Sequence, residues 1–267
     1  MRLLTVALLL CLSIGTLSCG SGNSSSTAAA PLSGNWQITL VRHANTEQFT
    51  FSGFLLQSGD NITGSVTLSA GCEGVGSVTG TFDGQNLQLT IGGFGQDFSL
   101  TAALPSGSAA DTTIAGQFST LAGGCIGFTS TGTWTAVRVQ PLAGPFHGSV
   151  VLGTGITATT IDVAGTMTQG PNIGASNATL TGTLNETSTN LFCSYFSNVT
   201  IAGLIGGPNA NLNLYGYDGS QIGQISSATV ATDGTSLTTV GGSGVISVNK
   251  LSGGCPAQTG SITITFP

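Results

Sequence analysis

The chain has 267 residues, of which 42 are glycine and only 5% are charged, with a net charge of −6 at pH 7. With just four Lys and Arg residues, it lacks the basic surface that binding to nucleic acid requires, so no nucleic-acid partner is expected. Hydrophobic residues make up 40% of the chain, which is enough to build a core and excludes a wholly disordered polypeptide. The low charge is typical of an exported β-protein whose surface is made polar by hydroxyls and amides.

The N-terminus has the pattern of an export signal. Arg2 precedes a short apolar run over 3–14, and Ser18-Cys19 follows a few residues later. The run is too short to span a bilayer as a permanent helix, which predicts a signal peptide over 1–18. The Ser18-Cys19 pair resembles the lipobox of bacterial lipoprotein signals. This resemblance implies that Cys19 becomes the first mature residue and carries acyl chains such as palmitate, which anchor the protein to the membrane.

The residues around this cysteine indicate a location in the cell envelope. Thr16 stands where a lipobox usually has Leu, and Gly20 is not the Asp that typically retains lipoproteins at the inner membrane. We therefore expect an outer-membrane address, with 19–30 as a flexible tether. The alternative is simple secretion after cleavage beyond Ala30, although Pro31 follows that position directly.

The cysteines of the remaining chain predict two disulfides. Cys11 is expected to leave with the signal, and Cys19 is either lipidated or removed by the alternative cleavage, so an even number of cysteines stays in the exported body. No Cys-x-x-Cys spacing and no histidine cluster accompanies them, so neither a metal site nor a cofactor is expected. The cysteines that remain are Cys72, Cys125, Cys193 and Cys255.

The body contains an internal duplication. The sequence PLSGNW at 31–36 recurs as PLAGPF at 141–146, and LAGGC at 121–125 recurs as LSGGC at 251–255. Because both pairs occur in the same order, and each second segment is followed by a terminal strand, they indicate two related units.

These units are predicted over 31–140 and 141–267, with eight β-strands in each and no lasting helical periodicity. Predicted strands of the first unit are 36–42, 48–56, 61–68, 76–83, 86–92, 97–103, 112–119 and 129–138. Those of the second are 146–153, 159–168, 177–184, 197–205, 210–217, 222–231, 235–248 with a possible interruption, and 259–266.

A finer pattern places glycine on the apolar face of these strands. Apolar residues stand two positions before and two positions after each of nine glycines, and side chains alternate across a strand, so each of these glycines faces the core. An inward glycine allows close strand approach and sharp bending, which favours two tandem antiparallel β-barrels in an all-β fold. A strongly twisted β-sandwich remains the alternative. The nine glycines are Gly34, Gly53, Gly64, Gly80, Gly116, Gly144, Gly165, Gly182 and Gly203.

An up-and-down barrel also predicts how the cysteines pair. Cys72 follows the third predicted strand and Cys125 the seventh, and in such a barrel both loops lie at the same end. Cys193 and Cys255 occupy the corresponding loops of the second unit. We therefore predict the disulfides Cys72–Cys125 and Cys193–Cys255.

The Gly34-Asn35-Trp36 sequence opens the first strand of an eight-stranded unit. In this respect the chain resembles the lipocalin and avidin group of barrels, in which a Gly-x-Trp begins the first strand. The resemblance implies a barrel shape. It assigns no ligand-binding residues, because the later lipocalin signatures are not apparent.

The chain has no recognisable catalytic constellation. His43 and His147 do not occupy matching positions in the repeat, and each is expected to be solvent-facing or structurally satisfied. The carboxylates are scattered singly, and Asp83, Asp218 and Asp233 each precede a glycine, which predicts tight turns. We therefore predict no catalytic residues and a protein that is not an enzyme.

One local cluster combines aromatic and acidic side chains. The sequence Tyr215-Gly216-Tyr217-Asp218 has the composition of a sugar-binding or calcium-binding loop. A strand that ends in a hairpin turn explains it better, because no further ligands stand at alternating positions.

Two functional hypotheses follow. The first is an envelope lipoprotein that acts as a structural or interaction module, with another envelope protein as its partner. The alternative is a binding protein that holds a small apolar molecule in a barrel interior, where inward glycines leave space. A membrane-spanning barrel fits less well, because most strands are shorter than about ten residues and aromatics make up 6% of the chain.

Overall fold

The computed structural model describes residues 32–69, 74–104, 113–124, 129–172, 176–188, 193–240, 244–249 and 255–267. The predicted signal over 1–18, the tether over 19–30 and the cysteines Cys19, Cys72 and Cys125 lie outside these ranges. Within them, no helix is long and apolar enough to cross a membrane.

The described chain is built from β-strands, with one short 3-10 turn at Gly155–Thr157. The strands of the first half are β1 (Gly34–Arg42), β2 (Gln48–Ser58), β3 (Asn61–Ser69), β4 (Gly74–Phe82), β5 (Asn86–Gly92), β6 (Phe98–Ala103), β7 (Thr113–Thr120) and β8 (Ser130–Val139). Those of the second half are β9 (Ala143–Leu152), β10 (Thr159–Asn172), β11 (Ala178–Glu186), β12 (Val199–Gly206), β13 (Asn209–Tyr215), β14 (Gln221–Val230), β15 (Ser236–Thr238), β16 (Val245–Val248) and β17 (Gln258–Thr265).

The first eight strands form a closed antiparallel barrel. Each strand pairs with the next one in sequence, and β8 returns to pair with β1, where Trp134 lies opposite Leu40. Because every connection joins adjacent strands, the barrel has the simple up-and-down topology. The C-terminal ends of β3 and β7 therefore lie at the same end of the barrel, as predicted.

The second half forms another closed barrel with one broken strand position. Strands β9 to β14 pair in sequence, and β17 pairs with β9 to close the ring. Between β14 and β17, one position is shared by β15 and β16, which both pair with both neighbours. The predicted all-β fold with two tandem antiparallel barrels is confirmed, and the interruption expected within 235–248 is the gap between β15 and β16.

Strict alternation of apolar and polar side chains explains why these strands form barrels. Along β6, the side chains of Phe98, Leu100 and Ala102 are buried while the intervening Ser99 and Thr101 are exposed. The inward side chains of each barrel pack into one buried apolar cluster. The outward face is dominated by Thr, Ser, Asn and Gln, which can hydrogen-bond with water without charge.

The inward glycines are sites where neighbouring backbones nearly touch. At seven of the nine pattern glycines, an added Cβ would lie within 2.3 Å of a carbonyl oxygen on the adjacent strand. At Gly116, for example, the Cβ would be 1.9 Å from the carbonyl oxygen of Thr101. The neighbouring strand therefore occupies the space of the missing side chain, and these glycines do not supply the cavity that an apolar ligand in the barrel would need.

The other two pattern glycines have a different role. Gly34 is the first residue of β1 and Gly144 the second residue of β9, and their φ angles are +146° and +106°. Most side chains avoid this region, so glycine is favoured here by backbone conformation.

The indole of Trp36 closes one end of the first barrel. Its ring is fully buried, and its Nε1 donates a hydrogen bond to the carbonyl oxygen of Leu32 at 2.9 Å. The guanidinium of Arg138 lies over the ring, 5.0 Å from its centre, and donates to the carbonyl oxygen of Ser33. Leu32 and Ser33, where the chain enters the barrel, are therefore hydrogen-bonded to Trp36 and Arg138.

The two barrels are joined by a polar clamp beside an apolar contact. Asn35, on the outer face of β1, donates from Nδ2 to the carbonyl oxygen of Gly207 at 2.9 Å and accepts from the Gly207 amide at 2.7 Å. Phe54 and Val139 also point outward from the first barrel, yet both are buried in the core cluster of the second. Gly207 lies in the hairpin between β12 and β13, so that end of the second barrel rests on the outer wall of the first.

The close approach of the strands predicts the effect of one added methyl group. Gly116→Ala should lower the free energy of unfolding by about 2 kcal/mol, because the methyl group would overlap the Thr101 carbonyl oxygen and force the strands apart. Both tryptophans, Trp36 and Trp134, lie in the first barrel, so urea unfolding followed by tryptophan fluorescence reports on it directly.

Gly74→Ala is the matched control for this change. A Cβ at Gly74 would be no closer than 3.7 Å to another heavy atom, an ordinary contact with the Phe94 ring. The unfolding midpoint of this variant should not fall. Equal losses for the two variants would contradict the explanation by strand crowding.

The clamp predicts coupled unfolding of the two barrels. Asn35→Ala leaves the buried amide and carbonyl of Gly207 without their partner, which should cost about 2 kcal/mol. The tryptophans follow the first barrel and the three tyrosines follow the second, so fluorescence and tyrosine absorbance should now give separate transitions. Asn209→Ala, at an exposed position of the same hairpin, should change neither. Coincident, unshifted transitions in the Asn35 variant would contradict the clamp.

Candidate functional site

The most elaborate surface lies at the end of the second barrel opposite the first barrel. We call it the disulfide rim and define it by residues 193–198, 216–220 and 255–257. These residues belong to the connections from β11 to β12, from β13 to β14 and from β16 to β17. Because antiparallel strands alternate in direction, all three connections emerge at the same end of the barrel.

A disulfide joins two of these connections. Cys193 and Cys255 are bonded, with their Cα atoms 5.5 Å apart, which confirms the predicted pair. The other predicted pair, Cys72–Cys125, lies outside the described residues. Next to the disulfide, the hydroxyl of Tyr195 donates to the carbonyl oxygen of Pro256 at 2.8 Å, and burial raises the pKa of this phenol. The two chain segments are thus held together by one covalent bond and one hydrogen bond.

Residues 194–198, which we call the plug, follow Cys193 and turn inward to close this end of the second barrel. Phe196 is fully buried in the core cluster, and its carbonyl oxygen accepts from the amide of Glu186. Asn198 adopts a left-handed conformation with a φ of +53°, which asparagine tolerates, and its amide donates to Oδ1 of Asn185. Phe196 and Asn198 therefore both hold the plug to the preceding strand β11.

The Tyr-Gly-Tyr-Asp sequence forms the hairpin turn between β13 and β14, as predicted. Asp218 Oδ1 accepts hydrogen bonds from the amide and the hydroxyl of Ser220, and these bonds lower the pKa of the carboxyl group. The turn closes through a bond from the Gly216 amide to the Ser220 carbonyl. This geometry leaves the side chain of Tyr217 90% exposed at the tip.

A cavity of about 450 Å³ separates the plug from this hairpin. Asn249 fixes its third side, donating from its backbone amide to the Ile222 carbonyl and from Nδ2 to the Gln221 carbonyl at 2.9 Å. The cavity is lined by Ser194, Tyr195, Ser197, Gly216, Tyr217, Asp218, Ser220, Gln221, Ile222 and Asn249.

A second cleft, of about 430 Å³, lies at the junction of the barrels. Thr67 of the first barrel contributes to it, together with amide side chains on the outer face of β13 and β14. Several of these polar groups already have partners: Asn211 accepts from the Ser227 amide, and Asn213 accepts from Gln221. The side-chain oxygens of Asn211 and Asn213 in this cleft are therefore already used within the second barrel.

The remaining candidates from the sequence do not converge on one site. His43 and His147 are both exposed and belong to different barrels. Asp83 and Asp233 accept backbone amide bonds within their own turns, which confirms their predicted turn role and lowers the pKa of each. Among the described residues, no group of three His, Cys, Asp or Glu side chains is placed to hold a metal ion.

One charged pair lies at the turn between β1 and β2 of the first barrel. Arg42 is buried, and its guanidinium lies 2.6 Å from Oε2 of Glu47 while its Nε donates to Ser130. The Arg42 hydrogen bond holds the pKa of Glu47 below its usual range. Arg42 and Glu47 therefore both help to stabilise the turn between β1 and β2.

The plug was not predicted from the sequence. The only signal for it was two consecutive aromatic residues, Tyr195 and Phe196, in a segment that otherwise reads as a loop. An apolar pair in a loop beside a disulfide cysteine is a sign that the loop turns into the core.

Comparisons with known proteins found no matching family model and no matching curated protein. Three solved structures that match this chain have TM-scores of 0.22 to 0.26 and sequence identities of 8% to 12%. A protein of unknown function of the DUF3598 family from Nostoc punctiforme is 8% identical, with 90% of this chain and 97% of that chain covered and a TM-score of 0.25. The vaccine antigen transferrin-binding protein B from Haemophilus parasuis is 10% identical, with 86% and 74% covered and a TM-score of 0.26. Kievitone hydratase from Nectria haematococca is 12% identical, with 88% and 89% covered and a TM-score of 0.22.

The disulfide should stabilise the second barrel strongly. It links residues 62 positions apart, and loop-closure entropy for such a separation corresponds to about 4 kcal/mol. Replacing both Cys193 and Cys255 with Ala should lower the urea midpoint of the transition followed by tyrosine absorbance. Non-reducing peptide mapping of the unaltered protein should recover the Cys193–Cys255 peptide. A Cys125–Cys193 peptide, or an unchanged midpoint, would contradict this account.

Proposed function

We propose that this chain is a lipid-anchored protein of the bacterial cell envelope that works by recognition and not by catalysis. The observation that carries the proposal is the Cys193–Cys255 disulfide, because structural disulfides persist in oxidising compartments outside the cytoplasm. The Ser18-Cys19 pair after an apolar run supplies the means of attachment. Exported location and membrane anchoring are thus supported by separate parts of the chain.

The arrangement of the body suits presentation of a surface. The chain enters the first barrel at Leu32, at the end closed by Trp36, and the predicted tether precedes this point. The second barrel contacts the first through its β12–β13 end, so the disulfide rim is at its other end. A recognition role needs such a rim, fixed in shape and turned away from the contact between the barrels.

A non-catalytic role agrees with how the reactive groups are used. The aspartates at Asp83, Asp218 and Asp233 accept hydrogen bonds within turns, and Glu47 is paired with Arg42. Catalysis by general acid and base needs a positioned pair of groups with matched pKa values. The hydrogen bonds to these four carboxyl groups lower the pKa of each, which favours the ionised state of isolated structural carboxylates.

Replacement of the predicted lipidated cysteine tests the anchor. Protein from the native host should fractionate with membranes, and its intact mass should include acyl chains on residue 19. Cys19→Ser should lose both properties, because the acylated sulfur is absent. Cys11→Ser is the matched control and should retain both, since Cys11 leaves with the signal. Unaltered protein that is soluble and carries no acyl mass would contradict anchoring and favour simple secretion.

A further inference from the structure

We propose that the cavity at the disulfide rim binds an uncharged saccharide. This inference deepens the proposed recognition function and rests on it for the absence of catalysis. It does not depend on the lipid anchor. Four features of the cavity point to this class of ligand: an exposed aromatic ring, unused acceptor atoms, the sign of the charge and a rigid frame.

The exposed ring is that of Tyr217. Several large apolar side chains are exposed among the described residues, and Tyr217 is the aromatic one among them. Its side chain is 90% exposed. Tyrosine at a binding surface combines an apolar ring face with a polar hydroxyl and loses little conformational entropy when it is covered. A pyranose ring offers the complementary shape, because one of its faces exposes C–H groups and its edge carries hydroxyls.

The polar groups around this ring retain acceptor atoms. Both hydrogen bonds to Asp218 fall on Oδ1, so Oδ2 remains available. Asn249 and Gln221 use their amide nitrogens as donors, to the Gln221 carbonyl and to Asn213, so the side-chain oxygens of both residues remain acceptors. Sugar hydroxyls are donors as well as acceptors, and three acceptors around one cavity can bind several of them.

The charge of the cavity selects against acidic ligands. Its lining includes the carboxylate of Asp218, and Ser194 hydrogen-bonds to the carboxylate of Glu186 nearby. Among the described residues that line the cavity there is no Lys, Arg or His, and the whole chain carries a net charge of −6. Uronic acids and phosphorylated sugars would therefore be repelled, whereas an uncharged saccharide would not.

The frame of the cavity is fixed before any ligand arrives. The Cys193–Cys255 disulfide holds one wall, and the bonds of the 216–220 turn hold the other. Preorganised walls reduce the entropy lost on binding. The volume of about 450 Å³ also falls within the range of small-ligand sites, about 300–1,000 Å³.

A titration of the full-length protein tests the proposal. The probes are four uncharged oligosaccharides of different linkage: cellohexaose, maltohexaose, mannohexaose and chitohexaose. At millimolar concentration, at least one should shift the NMR signals of the Tyr217 ring and of the 194–197 and 216–222 amides. Tyr217→Ala should weaken this binding about tenfold, whereas Tyr217→Phe, which keeps the ring, should retain it.

Ile156→Ala is the matched control, because Ile156 is fully exposed on another connection at the same end of the barrel and does not line the cavity. Its affinity should equal that of the unaltered protein. The proposal is overturned if none of the four probes shifts these signals, or if Tyr217→Ala binds as tightly as the unaltered protein. It is also overturned if Ca²⁺ alone produces the same shifts and a chelator abolishes saccharide binding, since the site would then be a cation site.

The two proposals fail in distinguishable ways. Loss of membrane attachment in the fractionation experiment affects the anchor and leaves the saccharide titration unchanged. A negative titration of a protein that still carries acyl chains removes the saccharide site and leaves the envelope lipoprotein in place.

Discussion

The contact between a glycine Cα on one strand and a carbonyl oxygen on the next is the constraint on which both barrels depend. Small closed barrels require strands to coil tightly, and at the inward glycines the neighbouring backbones approach too closely for a Cβ. An added Cβ would lie 1.9 Å from a carbonyl oxygen both at Gly116 in the first barrel and at Gly165 in the second. Because the same inward glycines recur in both halves, two units that differ in length adopt the same barrel architecture.

The inward glycines also determine where on the molecule a recognition site can be. Because the neighbouring strand occupies the place of each missing side chain, the interiors are filled by backbone and by large residues such as Trp36 and Phe196. Recognition must then use connections and outer walls. In the second barrel, the connections at one end are occupied by contact with the first barrel, and those at the other end form the disulfide rim. The Asn35–Gly207 clamp sets this arrangement, because it holds the β12–β13 end against the first barrel and leaves the other end free of that contact.

Much of this fold could be predicted from the sequence, because its signals are local and repeated. Alternation gave strands whose bounds agree with the structure to within a few residues, and strand order alone placed Cys193 near Cys255. The junction could not be predicted, since Asn35 and Gly207 lie 172 residues apart and neither belongs to a periodic pattern that singles it out. The inward turn of Phe196 was missed for the same reason. The Tyr217 hairpin was predicted as a turn, but the cavity beside it depends on how three connections meet in space.

Native mass spectrometry of the protein purified from its own host tests the central claim most directly. If both barrels are solid and recognition takes place at the surface, the mass should equal that of the processed polypeptide with its covalent modifications. A stoichiometric apolar molecule that is retained in the native protein and released on denaturation would contradict the account, because it would place a ligand inside a barrel.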